Sequence, residues 1–127
     1  MSNLQEDAAK GLIGLESPQE GELEAVFVFP SGLALFEGHF PGRPIVPGVL
    51  EVETARAALE KHFKGTPLRI QSIEKAKFTR EVKPGEEIRL RMSFAPSGEK
   101  DTWSVKGTLS VNGEKAGQVK LTLAKEA

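Results

Sequence analysis

The sequence contains no cysteine in its 127 residues, which excludes a disulfide framework, a cysteine-based zinc site and a thiol nucleophile. It also lacks a dominant charge. Seventeen basic residues against eighteen acidic ones leave a net charge of −1, so no overall field draws the chain to nucleic acid or an anionic membrane. No apolar run approaches the ~20 residues of a spanning helix, and the acidic start, Met1-Ser2-Asn3-Leu4-Gln5-Glu6-Asp7, is unlike a secretory signal. The expectation is a cytoplasmic chain acting on small molecules or proteins. Repeats, linkers and low-complexity stretches are missing as well, and the length suits a single domain with its own core, residues 1–9 being a loose leading segment.

What is present reads as one helix and several strands. From Pro47 to about Lys64 the pattern is helical, with proline at the first position and Gly65 and Pro67 as stop signals. At ~100° per residue, Val49, Val52, Leu59 and Phe63 share one face with Ala55 beside it, while Glu53, Glu60 and Lys64 share another. Period-two alternation marks strands around Ile88, Leu90, Met92 and Phe94, then Trp103, Val105, Leu109 and Val111, then Val119, Leu121 and Leu123. Asn112-Gly113 is a type I′ hairpin signal between the last two. Leu68 to Phe78 reads as a strand whose phase slips near Ile73 at a bulge. Ahead of the helix, Gly11 to Leu15 is a weak strand and Leu23 to Phe29 a better one, joined by a turn over Ser17 to Gly21. This is an α+β chain, one helix lying on a mainly antiparallel sheet.

One of the two histidines stands in a rigid frame, Gly38-His39-Phe40-Pro41-Gly42-Arg43-Pro44-Ile45-Val46-Pro47-Gly48-Val49-Leu50, which feeds the helix start; Glu53 follows His39 by fourteen residues. An imidazole fixed beside a helix N-terminus is equipped for proton transfer. The second histidine, His62, sits near the helix end, where the dipole favours it without a functional role.

This frame, with Lys75-Ala76-Lys77-Phe78-Thr79-Arg80, Val82 and Pro84-Gly85 downstream, resembles the signature of the 3-hydroxyacyl-(acyl-carrier-protein) dehydratases of fatty acid synthesis, and the resemblance spans roughly residues 22–124. It implies a hot-dog fold, a curved antiparallel sheet wrapped around one central helix, and a homodimer. It also implies dehydration of a 3-hydroxyacyl thioester on acyl carrier protein to the trans-2-enoyl thioester, in fatty acid or related acyl or polyene synthesis, with no cofactor and no metal. Carried over by position, His39 is the base that takes the C2 proton and Glu53 the acid that protonates the departing hydroxyl. The Gly48 backbone N–H would bind the thioester carbonyl, and Phe40 and Val49 would line the substrate site. Arg43, Lys75, Lys77 and Arg80 would dock the acidic carrier. Neutral imidazole suits the base role at cellular pH, and a carboxyl that holds its proton needs apolar surroundings.

Three departures from that signature stand out. Thr54-Ala55-Arg56-Ala57 replaces the usual Ala-Met-Ala-Gln after the acid, so the glutamine is missing. Arg56 falls within i,i+3 reach of Glu53, an arrangement that favours the ionised carboxylate and opposes the acid role. Glu51 stands where the family prefers an aliphatic residue. Two other classes compete with the dehydratase: a hot-dog thioesterase, and a non-catalytic module that binds acyl carrier protein.

Overall fold

The computed structural model describes residues 3–32 and 45–126. Six strands and two helices lie among them: α1 (Leu4–Gly11), β1 (Leu12–Glu16), β2 (Glu22–Val28), α2 (Gly48–His62), β3 (Leu68–Phe78), β4 (Glu87–Pro96), β5 (Thr102–Val111) and β6 (Glu114–Lys125). The strands form one antiparallel sheet in the order β1-β2-β4-β5-β6-β3. Between β2 and β4 the chain inserts α2 and sends β3 to the far edge, beside β6. The helix is thereby held against the inner face of the sheet.

Alternation fixes that face. Leu23, Ala25 and Phe27 of β2, Ile88, Leu90 and Met92 of β4, Val105 and Leu109 of β5, and Val119, Leu121 and Leu123 of β6 all point inward and are buried. They meet Leu50, Ala55, Ala58 and Leu59 of α2 in one core. Each fully buried leucine contributes roughly 1.5–3 kcal/mol. The β5–β6 hairpin turns through Asn112 and Gly113, both at positive φ (52° and 79°), as a type I′ turn requires. In β3 the pairing register slips between Ile70 and Ser72 and again between Ile73 and Lys75, the bulge expected near Ile73.

Three expectations need correction. The segment over residues 1–9 was expected to be loose, yet Leu4–Gly11 is helical: the Asn3 side chain accepts from the Gln5 and Glu6 N–H groups at 3.0 and 3.2 Å, and α1 packs on α2. Pro47 caps α2 from outside rather than beginning it, and the helix ends at His62, with Lys64 and Gly65 at positive φ. Val49, placed on the buried face by the helical wheel, is 58% exposed, whereas residues 50–52 and 54–59 are buried nearly all round. A central helix has no single apolar stripe.

At the C-terminal end of α2, Phe63 packs against Trp103 (ring centroids 5.0 Å apart) and Phe94 (5.8 Å), and His62 lies edge-on to Phe94. This aromatic cluster pins the helix end. It occupies His62 structurally.

Candidate active site

The start of α2 is positioned from both sides. The Val46 N–H donates to the Val82 carbonyl at 2.7 Å, and the Pro47 carbonyl accepts from Leu50 and Glu51 at 3.0 and 3.2 Å. The first helical N–H groups, those of Gly48 and Val49, have no intrahelical acceptor by their position and present the positive end of the helix dipole. Gly48 is needed here for space: a Cβ on it would lie 2.6 Å from the Phe78 ring, and one on Gly117 would lie 2.9 Å from the other side of that ring. Phe78, the last residue of β3, is thus seated between two glycines.

Beside this ring lies a recess of about 320 Å³ lined by Ile45, Val46, Gly48, Glu51, Phe78 and Thr79, with Arg80 and Glu81 at its charged side. Glu51 is 2% exposed, and its Oε1 has no hydrogen-bond partner among the described residues. Loss of hydration pushes its carboxyl up to about 8. The nearby Thr54 hydroxyl donates to the Glu51 backbone carbonyl at 2.6 Å and not to its carboxyl.

Glu53 has the opposite surroundings. The Arg56 guanidinium, 1% exposed, donates to Glu53 Oε1 at 2.5 Å and to Glu60 Oε2 at 2.9 Å, and its third nitrogen faces the Gln5 carbonyl at 3.4 Å. Glu60 also accepts from the Leu68 N–H at 2.9 Å. The network ties α2 to α1 and to the start of β3.

The structure therefore brings Gly48 to the recess and sets Glu53 in the Arg56 network on another flank of the helix. Val49 lies exposed at the helix start. His39, Phe40 and Arg43 lie outside the described residues. Of the expected carrier-docking cations, Lys75 and Lys77 are exposed on β3, whereas Arg80 is bound to Glu86 and Glu114, each at 3.1 Å. Two further lysines join Lys75: register places Lys120 of β6 beside it and Lys106 of β5 beside Lys120. That row borders a larger open groove of about 1020 Å³, formed by a different set of residues from the Glu51 recess. Among the described residues no group of three or more His, Asp or Glu side chains is arranged to hold a metal, and no helix is long and apolar enough to cross a membrane.

The helix cradled by an antiparallel sheet defines a hot-dog α+β protein. The dehydratase heterocomplex ApeI:P from Xenorhabdus doucetiae shares this fold, with a TM-score of 0.72 over 90% of this chain and 96% of that one at 24% identity. The PaaI protein of the Escherichia coli phenylacetic acid degradation operon shares it too, with a TM-score of 0.67 at 13% identity over 95% of this chain and 89% of that one. The model of the ApeI-like family, described as ApeI dehydratase, matches residues 15–116, and the chain belongs to that family. It is also similar to the 3-hydroxyacyl-(acyl-carrier-protein) dehydratase FabZ of Roseobacter denitrificans, 40% identical over 68% of this chain and 63% of the relative. FabZ of Clostridium acetobutylicum is 36% identical over 69% of this chain and 66% of the relative. The chain thus spans just under two thirds of the length of these curated relatives.

Proposed function

We propose that this protein removes water from a 3-hydroxyacyl thioester carried on acyl carrier protein, giving the trans-2-enoyl thioester. The observation that supports the reading is the helix start that follows the motif: within a dehydratase family match, Gly48, whose N–H has no intrahelical acceptor, lines a recess together with a buried carboxyl. His39 takes the C2 proton. The Gly48 N–H receives the enolate-like charge that develops on the thioester oxygen, a role that backbone donors at a helix N-terminus fill well. Phe40 and Val49 border the acyl chain. For the acid, α2 offers two carboxyls: Glu53 by its position in the motif, and Glu51 by its burial.

The partners follow from surface chemistry. Acidic acyl carrier protein suits Arg43, Lys75 and Lys77, extended by Lys120 and Lys106; like charges set side by side on adjacent strands repel one another until an anionic surface covers them. A second copy of this chain suits the outer edge of β3, where Ile73 and Phe78 are 53% and 39% exposed on a strand paired on one side only. The proposed setting is the cytoplasm.

Hydration of crotonyl-coenzyme A, the reverse reaction, tests the reading through loss of the enoyl absorbance. Free thiol stays constant for a dehydratase and rises for a thioesterase. His39→Ala is expected to lower the rate about 10²-fold or more, and His62→Ala to leave it unchanged. A wild-type protein inactive on crotonyl-acyl carrier protein as well as on the coenzyme A thioester, or one that releases thiol, refutes the proposal.

A further inference from the structure

We propose that the Glu51 carboxyl selects the acyl chain, favouring a thioester that carries a hydroxyl near C5 over the plain hydrocarbon of the same length. The assignment rests on the dehydratase reading and narrows its substrate class. Base and acid stay with His39 and Glu53.

The recess beside Gly48 is apolar except for one buried group. Ile45, Val46 and Phe78 line it, and the other polar side chains that share it are engaged or exposed: Thr79 donates to the Lys115 carbonyl at 3.2 Å, Arg80 is bound by Glu86 and Glu114, and Glu81 is exposed. Glu51 differs from all of them. Its side chain is buried, and Oε1 has no hydrogen-bond partner among the described residues. Among the described residues one other side-chain oxygen shares that condition, Oδ2 of Asp7, and Asp7 is not part of the recess.

Position on the helix fixes which part of a substrate it would meet. Glu51 follows Gly48 by three residues, so the two share a face of α2 about one turn apart, and the tilt of helical Cα–Cβ bonds leans the Glu51 side chain toward the Gly48 end. One turn is ~5.4 Å. With the thioester carbonyl at the Gly48 N–H, that separation corresponds to the C4–C5 stretch of an extended acyl chain.

Chemistry decides what belongs there. Methylene groups pressed against Glu51 would complete its dehydration and still leave the carboxyl without a partner, which is the costly arrangement for a buried polar group. A hydroxyl removes that cost. It satisfies the carboxyl in either protonation state, donating to the carboxylate or accepting from the acid, whereas a keto oxygen only accepts and would depend on the protonated form. The aliphatic residue that the family prefers at this position makes the opposite selection.

The test is hydration by the full chain of two coenzyme A thioesters of equal length, 5-hydroxyhex-2-enoyl and hex-2-enoyl, with kcat/KM read from the loss of enoyl absorbance; the same acyl groups on acyl carrier protein are used where the coenzyme A forms do not react. Wild type should favour the hydroxylated chain by at least about 10-fold, because the other leaves the buried carboxyl unpaired. Glu51→Leu should reverse the preference, chiefly by raising kcat/KM on the hydrocarbon, and Glu51→Gln, which keeps hydrogen-bonding atoms, should retain a preference for the hydroxyl. Damage to the fold would lower both rates alike and leave their ratio unchanged. A binding measurement needs no turnover: saturated 5-hydroxyhexanoyl-coenzyme A should bind wild type more tightly than hexanoyl-coenzyme A, and Glu51→Leu no more tightly. Equal kcat/KM for the two thioesters in wild type, or a hydroxyl preference that survives in Glu51→Leu, overturns selection by Glu51 and leaves the dehydratase reading standing. A wild type inactive on every thioester overturns the dehydratase reading, and this assignment with it.

Discussion

On one flank of α2, Glu53 and Glu60 converge on the buried Arg56 guanidinium; on another, only two residues before Glu53, the Glu51 carboxyl enters the interior beside Gly48 and Phe78 with no donor to meet it among the described residues. The first flank is a charge network. Its charges are paired, further hydrogen bonds from Leu68 and to Gln5 fix the geometry, and two neighbouring elements are tied down as a result. The second flank leaves a buried carboxyl beside a recess, at a cost in stability. Burial alone therefore does not set the energetic cost of a carboxylate; the presence or absence of a partner does.

The largest effect expected from breaking this contrast is on the Glu51 side. A glutamate that titrates near 4.5 when unfolded and about 8 when folded binds a proton in the native state across that window, while the unfolded chain has already lost it. Stability must then fall as pH rises from about 4.5 to about 8, the deficit being complete above the folded value. Its ceiling is about 5 kcal/mol, because a difference of one pH unit between the folded and unfolded titration points is worth about 1.36 kcal/mol. Glu51→Leu removes the titration and fills the site with apolar atoms. Urea denaturation at about pH 5, 7 and 9 should show the variant more stable than wild type, by a margin that widens with pH. A margin independent of pH would show that Glu51 ionises freely in the folded protein.

Next in size is the Arg56 side. Arg56→Met takes the cation from the network and leaves Glu53 and Glu60, 14% and 26% exposed, facing a methyl thioether. Breaking a buried pair in this way costs about 3 kcal/mol, and Arg56→Met with Glu53→Gln should recover part of it because the two sites are coupled. A cost below about 1 kcal/mol would mean that solvent screens the network as it does a surface pair.

Much of this contrast was foreshadowed in the sequence, and the parts that were not share a cause. Strand β3 spans Leu68–Phe78 as read, and the bulge near Ile73 and the Asn112-Gly113 turn were visible, because period-two alternation and turn chemistry are local signals. The Glu53–Arg56 pair was visible too, being fixed by helical spacing. Helix α1 was missed: with few large apolar residues it has little periodicity, although Asn3 followed by Glu6 is a readable capping signal. The lysine row required strand register, which no single strand encodes. Glu51 was marked as a carboxyl in an aliphatic position; its isolation depends on Phe78 and the segment after β3, far away in sequence. Val49 was misplaced because a helical wheel gives relative angles and does not tell how deep the sheet's embrace reaches. His39, Phe40 and Arg43 were singled out by their motif, and the described residues stop short of them.

The smallest effect sharpens the comparison from within the Glu51 flank. In Gly48→Ala the new methyl would meet the Phe78 ring at 2.6 Å, so the ring must move. Two facts keep the cost low. Phe78 is 39% exposed and can swing outward, and alanine is better suited than glycine to the first turn of a helix. The net destabilisation should be about 1 kcal/mol, at the low end for overpacking, with a correspondingly small fall in the urea midpoint. The recess should respond more strongly, since Gly48 and the Phe78 ring that the methyl displaces both line it. A rise in KM for crotonyl-coenzyme A and a fall in kcat that together exceed the stability change would place the thioester at the helix start. Equal losses in stability and activity would instead make Gly48 a packing glycine, seated under Phe78 for the sake of the fold alone.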